Sequence, residues 1–211
     1  TTLDAIGIDR HLQQFVSESI GRVAMEVSSH ALSQSRVDHL QFKVAVFTSL
    51  SHEHLDYHGS LEEYAKAKFR LFQYPSVQYG VVNLDDEYGS RLVKERADIR
   101  WVGYSVNDAP VVQGCDLIRA YAIRQSKTGI SFELEAMGER WSLALPLLGR
   151  FNIGNVLAII GVLSVLGFSL DQIKKAVSQL VTVEGRMQII DSHNKPTIVV
   201  DYAHTPDALE K

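Results

Sequence analysis

The feature that most constrains this chain is a series of short, unbroken apolar runs separated by segments with helical periodicity. Val44 to Thr48 and Tyr79 to Asn83 are apolar on consecutive residues up to a polar last residue, not on alternate ones, and Ile99 to Val102 reads as a further strand interrupted only at Arg100. A strand that reads this way has both faces covered. Arg22 to Val27 reads as a similar short strand, with Glu26 at its carboxyl end. Ser28 and Ser29 follow it and suit the cap of a short helix from His30 to Ser33. Asp9 to Ile20, Ser60 to Phe72 and Asp86 to about Ala97 carry helical spacing. Alternating strands and helices, with continuous apolar strands, imply a parallel sheet covered on both faces.

The texture changes near Ala109. Leu117 to Arg124, Ile130 to Ala136 and Arg140 to Leu145 alternate apolar and polar residues, with Gly129 and Gly138 between them. That pattern predicts an antiparallel meander with one wet face. Two helices follow, Asn152 to Leu166 and Leu170 to Leu180, and then a Gly185-Arg186 turn. Met187 to Asp191 and Thr197 to Asp201 read as a β pair around the turn Ser192 to Pro196. A domain boundary is expected near Glu184 to Met187. The chain opens on Thr1-Thr2-Leu3 and closes on Pro206 to Lys211, which reads as a helix's first turn. Both ends suggest a fragment of a longer protein, and 211 residues fit one domain plus a piece of another.

Composition excludes several classes. A net charge of -4 with no basic run argues against a nucleic-acid binder. Cys115, the single cysteine, rules out an intrachain disulfide framework and suits a reducing compartment, so a cytoplasmic location is expected. With no His or Cys near it in sequence, Cys115 reads as structural. The apolar run Val156 to Phe168 is broken by Gly161, Ser164 and Gly167 and is too short to span a membrane. No charged segment followed by an apolar one marks a signal peptide, and no membrane partner is expected.

One residue breaks the helical pattern. In Ser60 to Phe72 the apolar stripe is Leu61, Tyr64, Ala65, Phe69 and Phe72, and Lys68 falls within it. A bare ammonium there is costly unless it snorkels out to solvent or is masked. Just upstream runs His52-Glu53-His54-Leu55-Asp56-Tyr57-His58, rich in side chains that can ligate a cation. In open α/β sheets ligands bind beyond the carboxyl ends of strands. Glu26 and His54 both lie at such ends. Lys68 could complete a site with them, since a carbamylated lysine becomes an anionic oxygen donor suited to Mg²⁺. The plain alternative for Glu26 is that it caps the following helix; His52 and His58 read as solvated loop residues, and His54 does not.

Five segments, in order, resemble the Mur ligases. They are Met25-Glu26-Val27-Ser28-Ser29-His30, Glu53 to Gly59 with the Ala67-Lys68 helix, Gly149-Arg150-Phe151-Asn152-Ile153-Gly154-Asn155, Gly185-Arg186-Met187, and Asp201-Tyr202-Ala203-His204-Thr205-Pro206-Asp207. The resemblance covers nearly the whole chain. It implies a mostly parallel, Rossmann-like sheet of the P-loop-ATPase type, flanked by helices, with a small antiparallel meander. It also implies a central ATP-binding domain over residues 1–185 and the start of a C-terminal ligase domain over 186–211. The family's phosphate-binding loop, which ends Gly-Lys-Thr, is not present. Gly149 and Gly154 have a similar spacing, but Asn155 follows in place of Gly-Lys.

The activity implied is ATP-driven amide-bond formation through an acyl phosphate. The branch implied adds the third residue of the peptidoglycan stem peptide. Its partners would be ATP, UDP-N-acetylmuramoyl-L-Ala-D-Glu and a diamino acid, meso-diaminopimelate or L-lysine, with the protein a monomer and this stretch alone inactive. By family position Glu26 and His54 would be Mg²⁺ ligands and Lys68 a carbamylated lysine holding a second Mg²⁺. Thr1, Thr2, Ser28, Gln34 and Arg36 match contacts to the muramoyl peptide, where a guanidinium can fork onto carboxylate or phosphate. Asn152 and Asn155 would approach the adenine, unless Asn152 is simply a helix cap. Arg186 and Asp201 match further nucleotide contacts, and His204 has no assigned role. Two rivals are a folate polyglutamate synthetase-like ligase and a binuclear metal-dependent amide hydrolase, which would need further His and Asp at later strand ends.

Overall fold

The computed structural model describes residues 2–190, 198–204 and 209. The chain forms two compact units, residues 1–45 with 54–78, and residues 46–53 with 79–211.

The first unit is mainly helical. Helix α1 (Ala5–Ser17) begins upstream of the expected Asp9 because Asp4 caps it, its carboxylate accepting from the Gly7 amide at 2.8 Å. Helix α2 (Ser29–Ser33) is capped by Ser28, whose Oγ accepts from the Ala31 amide at 3.2 Å. Helices α3 (Leu55–His58) and α4 (Leu61–Phe69) follow, and a 3₁₀ turn over Arg70–Gln73 completes the segment read as one helix. Ser60 caps α4 through the Glu63 amide at 3.2 Å. Ile8, Leu32 and Val37 form a buried cluster joined by Leu12, Val27, Phe42, Leu71 and Tyr74. Arg22–Val27, expected as a strand, belongs to neither sheet of the described residues. Val23 is 47% and Met25 37% exposed, so this run lacks the covered faces of a buried strand.

The sheet has the order β1 (Val44–Phe47), β2 (Tyr79–Asn83), β3 (Arg100–Ser105), β4 (Cys115–Ser126), β5 (Gly129–Ala136), β6 (Glu139–Leu145). Strands β2, β3 and β4 run parallel, whereas β4, β5 and β6 are antiparallel. The meander is thus continuous with the parallel sheet, and β4 belongs to both. The burial follows the sequence texture. Trp101 to Ser105 are buried without a break, whereas β5 buries Ile130, Phe132, Leu134 and Ala136 and leaves Glu133 exposed.

Helix α5 (Glu87–Glu95) packs on β2, and α6 (Phe151–Val165) packs on β2, β3 and β4, with α7 (Leu170–Val177) beside it. The α6 sequence is apolar nearly all round, as a helix with little free surface requires. Leu157 and Ile160 are fully buried and contribute about 1.5–3 kcal/mol each. Gly161 lets α6 approach closely, since a Cβ there would lie 3.0 Å from Val81 and 3.2 Å from Val102. Strands β7 (Gln188–Ile190) and β8 (Ile198–Val200) form the expected antiparallel pair. Their connecting turn, Thr1, and Thr205 to Ala208 with Glu210 and Lys211, lie outside the described residues. Among those described, no helix is long and apolar enough to cross a membrane. Burial pushes the Cys115 thiol up to about 11, in keeping with a structural role.

Candidate functional site

His54 stands at the start of α3 with φ 60° and ψ 22°, in the left-handed region. That conformation costs an L residue about 1–2 kcal/mol, so its surroundings must hold it. Its carbonyl accepts from the amides of Tyr57 at 3.2 Å and His58 at 3.0 Å. Its ring meets His30 edge-on, with centroids 5.0 Å apart at 90°, and Tyr64 likewise at 5.9 Å and 90°. His30 also touches Tyr57 at 4.2 Å and His58 at 5.4 Å. His58 stacks on Tyr64 at 5.0 Å and pairs with the Ser29 hydroxyl at 2.9 Å. The Lys68 ammonium lies 5.2 Å from the centre of the Tyr64 ring, within cation–π range. His54 and Lys68 therefore border the same buried tyrosine.

Lys68 is half-buried in a stripe whose Tyr64, Ala65, Phe69 and Phe72 are buried, with its ammonium over the Tyr64 ring. One expectation changes here. His58 is not a solvated loop residue. It is half-buried, and burial first, then the neighbouring His30 and His54, lower its pKa below the ordinary value. His52 is exposed, as expected.

A second network adjoins these rings. The Thr2 hydroxyl donates to the Glu26 carbonyl at 3.0 Å and accepts from the Ser28 amide at 3.0 Å. Arg36 donates to the Thr2 carbonyl and to the Gln34 side-chain oxygen, each at 2.9 Å. Gln34 donates to the Tyr57 hydroxyl at 3.3 Å. Thr2, Ser28, Gln34 and Arg36, four of the expected peptide contacts, are thus brought together, and Tyr57 joins them to the imidazoles. Thr1 lies outside the described residues. Glu26 enters the network through its carbonyl, and its residue surface is exposed. Among the described residues no three His, Cys, Asp or Glu side chains are arranged to enclose a metal ion. Mg²⁺ can instead be bound through one or two protein groups, with phosphate and water completing its shell, and the exposed Glu26 offers a carboxylate of the kind such a site uses.

The remaining expected residues lie in the second unit. Asn152 is not the helix cap, because α6 begins after Arg150 and Asn152 falls within the first turn. Its amide donates to the Leu148 carbonyl at 2.7 Å and its oxygen accepts from Asn155 at 3.0 Å, so the two amides form a pair. Arg150 ties this end of α6 to the loop after β3, donating to the Val106 carbonyl at 2.6 Å and Asn107 Oδ1 at 2.9 Å. The Asp201 carboxylate accepts from the amides of Met187 at 2.8 Å and Ala203 at 2.7 Å. The Arg186 guanidinium lies 4.9 Å from the Tyr202 ring centre. His204 Nδ1 lies 2.9 Å from the Tyr202 carbonyl oxygen. The sequence reading gave no site role to His30, Tyr57 or Tyr64. His30 lies inside the motif Met25 to His30, which was its available signal.

A family model described as the Mur ligase middle domain matches residues 1–163. The chain belongs to the Mur ligase family. It is 45% identical over 212 residues to the UDP-N-acetylmuramoyl-L-alanyl-D-glutamate–2,6-diaminopimelate ligase of Coxiella burnetii, an alignment covering 100% of this chain and 43% of that protein. The ligase of the same name from Pseudomonas aeruginosa is 45% identical over 211 residues, covering 100% of this chain and 42% of its own length. A solved structure of a ligase with that name superposes with a TM-score of 0.82 at 35% identity, over 99% of this chain and 42% of that one. The chain therefore spans about two-fifths of the length of these Mur ligase relatives.

Proposed function

We propose that the chain is the central part of a cytoplasmic, monomeric, ATP-dependent ligase that joins meso-diaminopimelate to UDP-N-acetylmuramoyl-L-Ala-D-Glu. The observation that carries this reading is identity of 45% over the whole chain to relatives named for that reaction. The same identity favours diaminopimelate over L-lysine and the muramoyl branch over a folate polyglutamate synthetase. Residues 1–185 would be the ATP-binding domain and 186–211 the start of the ligase domain.

In this reading a substrate carboxylate oxygen attacks the γ-phosphorus of ATP. An O–P bond forms, the bond to the β-phosphate oxygen breaks, and ADP leaves with the electron pair. The diamino acid's amine then attacks the acyl carbon, phosphate leaves, and the nitrogen loses its proton. Thr1, Thr2, Ser28, Gln34 and Arg36 would hold the muramoyl peptide, with Arg36 supplying the fixed positive fork. Asn152, Asn155, Arg186 and Asp201 would hold the nucleotide, the paired amides suiting a base edge that both donates and accepts. Glu26 and His54 would hold Mg²⁺, and Lys68, as its carbamate, a second one. Bound Mg²⁺ would offset the negative charge that gathers when carboxylate meets triphosphate.

The test is phosphate release by the full-length ligase carrying this sequence. Release should require ATP, the muramoyl dipeptide and a diamino acid together, and diaminopimelate should exceed L-lysine. A folded enzyme that releases no phosphate with either amino acid would refute the reaction. Preference for L-lysine would refute the specificity.

A further inference from the structure

We propose that His30 is a positioning residue that sets the direction of the His54 imidazole, an inference that rests on the reading of His54 as a cation ligand. The backbone alone cannot set that direction. His54 is held in the left-handed region by two amides on its carbonyl, but rotation about a histidine's χ2 is broad and soft. Two other elements constrain the ring. Tyr64 reaches it edge-on from α4 and His30 edge-on from α2. Tyr64 is 4% exposed and stacked by His58, so it acts as a fixed wall. His30 is the adjustable wall, and its ring also touches Tyr57 and His58.

The placement of His30 makes it a link as well as a wall. It sits two residues beyond Ser28, on the helix that Ser28 caps, and its neighbour Tyr57 accepts from Gln34. The peptide-side network and the cation-side imidazole thus meet at one ring. Groups that orient a metal-binding histidine commonly do so by a hydrogen bond, and their loss costs about 10–100-fold in affinity or activity. Here the orienting contact is the ring edge. The substitution that preserves it is therefore phenylalanine, which keeps the aromatic edge and removes the imidazole nitrogens.

The experiment uses the full-length ligase with Mn²⁺ as the probe, titrated in the presence of ADP and followed by electron paramagnetic resonance. His30→Ala should weaken Mn²⁺ binding about 10-fold or more, and His30→Phe should restore most of that loss. An alanine variant with wild-type Mn²⁺ affinity would overturn the inference. So would a folded phenylalanine variant no better than alanine. If the alanine protein does not fold, His30→Leu takes its place, filling the space without an aromatic edge, and wild-type Mn²⁺ affinity in it would overturn the inference. His54→Ala in the same titration separates the two levels. If it leaves Mn²⁺ affinity unchanged, the cation-site reading has failed and this inference falls with it. If it weakens Mn²⁺ and His30→Ala does not, only the positioning role has failed.

Discussion

Comparing His54→Gly with His54→Ala isolates the backbone strain at the candidate site. Both substitutions delete the imidazole and its edge contacts with His30 and Tyr64, so those losses cancel in the comparison. What differs is the fit to φ 60° and ψ 22°. An L residue there costs about 1–2 kcal/mol, which glycine avoids. Glycine also has a more flexible unfolded chain, which gives back about 0.5–1 kcal/mol. The balance leaves the glycine variant more stable locally by about 0.5–1 kcal/mol, a two- to fivefold ratio of closed to open states. Unfolding followed by tryptophan fluorescence would miss it, because Trp101 and Trp141 lie in the second unit. Hydrogen exchange of the segment His54 to Phe69 reads it directly. The amides of Tyr57 and His58 bond to the His54 carbonyl, and that of Gly59 bonds to the Leu55 carbonyl at 2.8 Å. These amides should exchange two- to fivefold faster in the alanine variant. Equal or slower exchange in alanine would show that His54 does not carry the left-handed strain.

Three further predictions follow from particular contacts. The lowered pKa of His58 has a definite sign. The unfolded residue takes up its proton at higher pH than the folded one, so its contribution to stability is complete above the ordinary 6.5 and lost as pH falls through the lower folded value. An NMR titration should place the His58 midpoint below 6.5, and a midpoint at or above it would contradict the packed environment. Gly80→Ala should destabilise the sheet by about 1–3 kcal/mol, since the new Cβ would lie 2.2 Å from the Trp101 ring. An unchanged urea midpoint by tryptophan fluorescence would deny that close approach. Lys68→Ala in the full-length ligase should cripple turnover and be partly rescued by short carboxylic acids standing in for the carbamate. A folded variant without rescue would count against that modification.

Local signals carried the elements, and tertiary packing decided the site. Tyr79 to Asn83 emerged with the expected bounds because a continuous apolar run and its turn residues are neighbours in sequence. Arg22 to Val27 has the same texture but forms no ladder here, because a strand is a property of its partners as much as of its residues. The spacing that placed Lys68 in an apolar stripe was real. The tyrosine face its ammonium lies over is a contact that periodicity cannot resolve. His30 and His54 lie far apart in sequence, and no helical or strand period relates them. Tertiary packing brings their rings together, with α2 lying against α4 and His54 at the start of α3 just before it.

The left-handed backbone at His54 is the feature sequence reasoning had least access to, and it says the most about why a histidine is there. Glycine would adopt that backbone without strain, and asparagine with less of it. His54 also makes no side-chain cap bond to the helix it begins. Histidine is met in this region more often than most L residues, but glycine fits it without strain, so local folding alone does not single out an imidazole at this position. A residue that carries some backbone strain, and is gripped by rings from two helices, is what a binding role for its side chain would require. The same logic separates His54 from His58. The latter lies in ordinary helical backbone, stacks on Tyr64 and bonds Ser29, so packing alone accounts for it. Of the neighbouring histidines, the strained and exposed one is the ligand candidate, and the relaxed and packed one is its support.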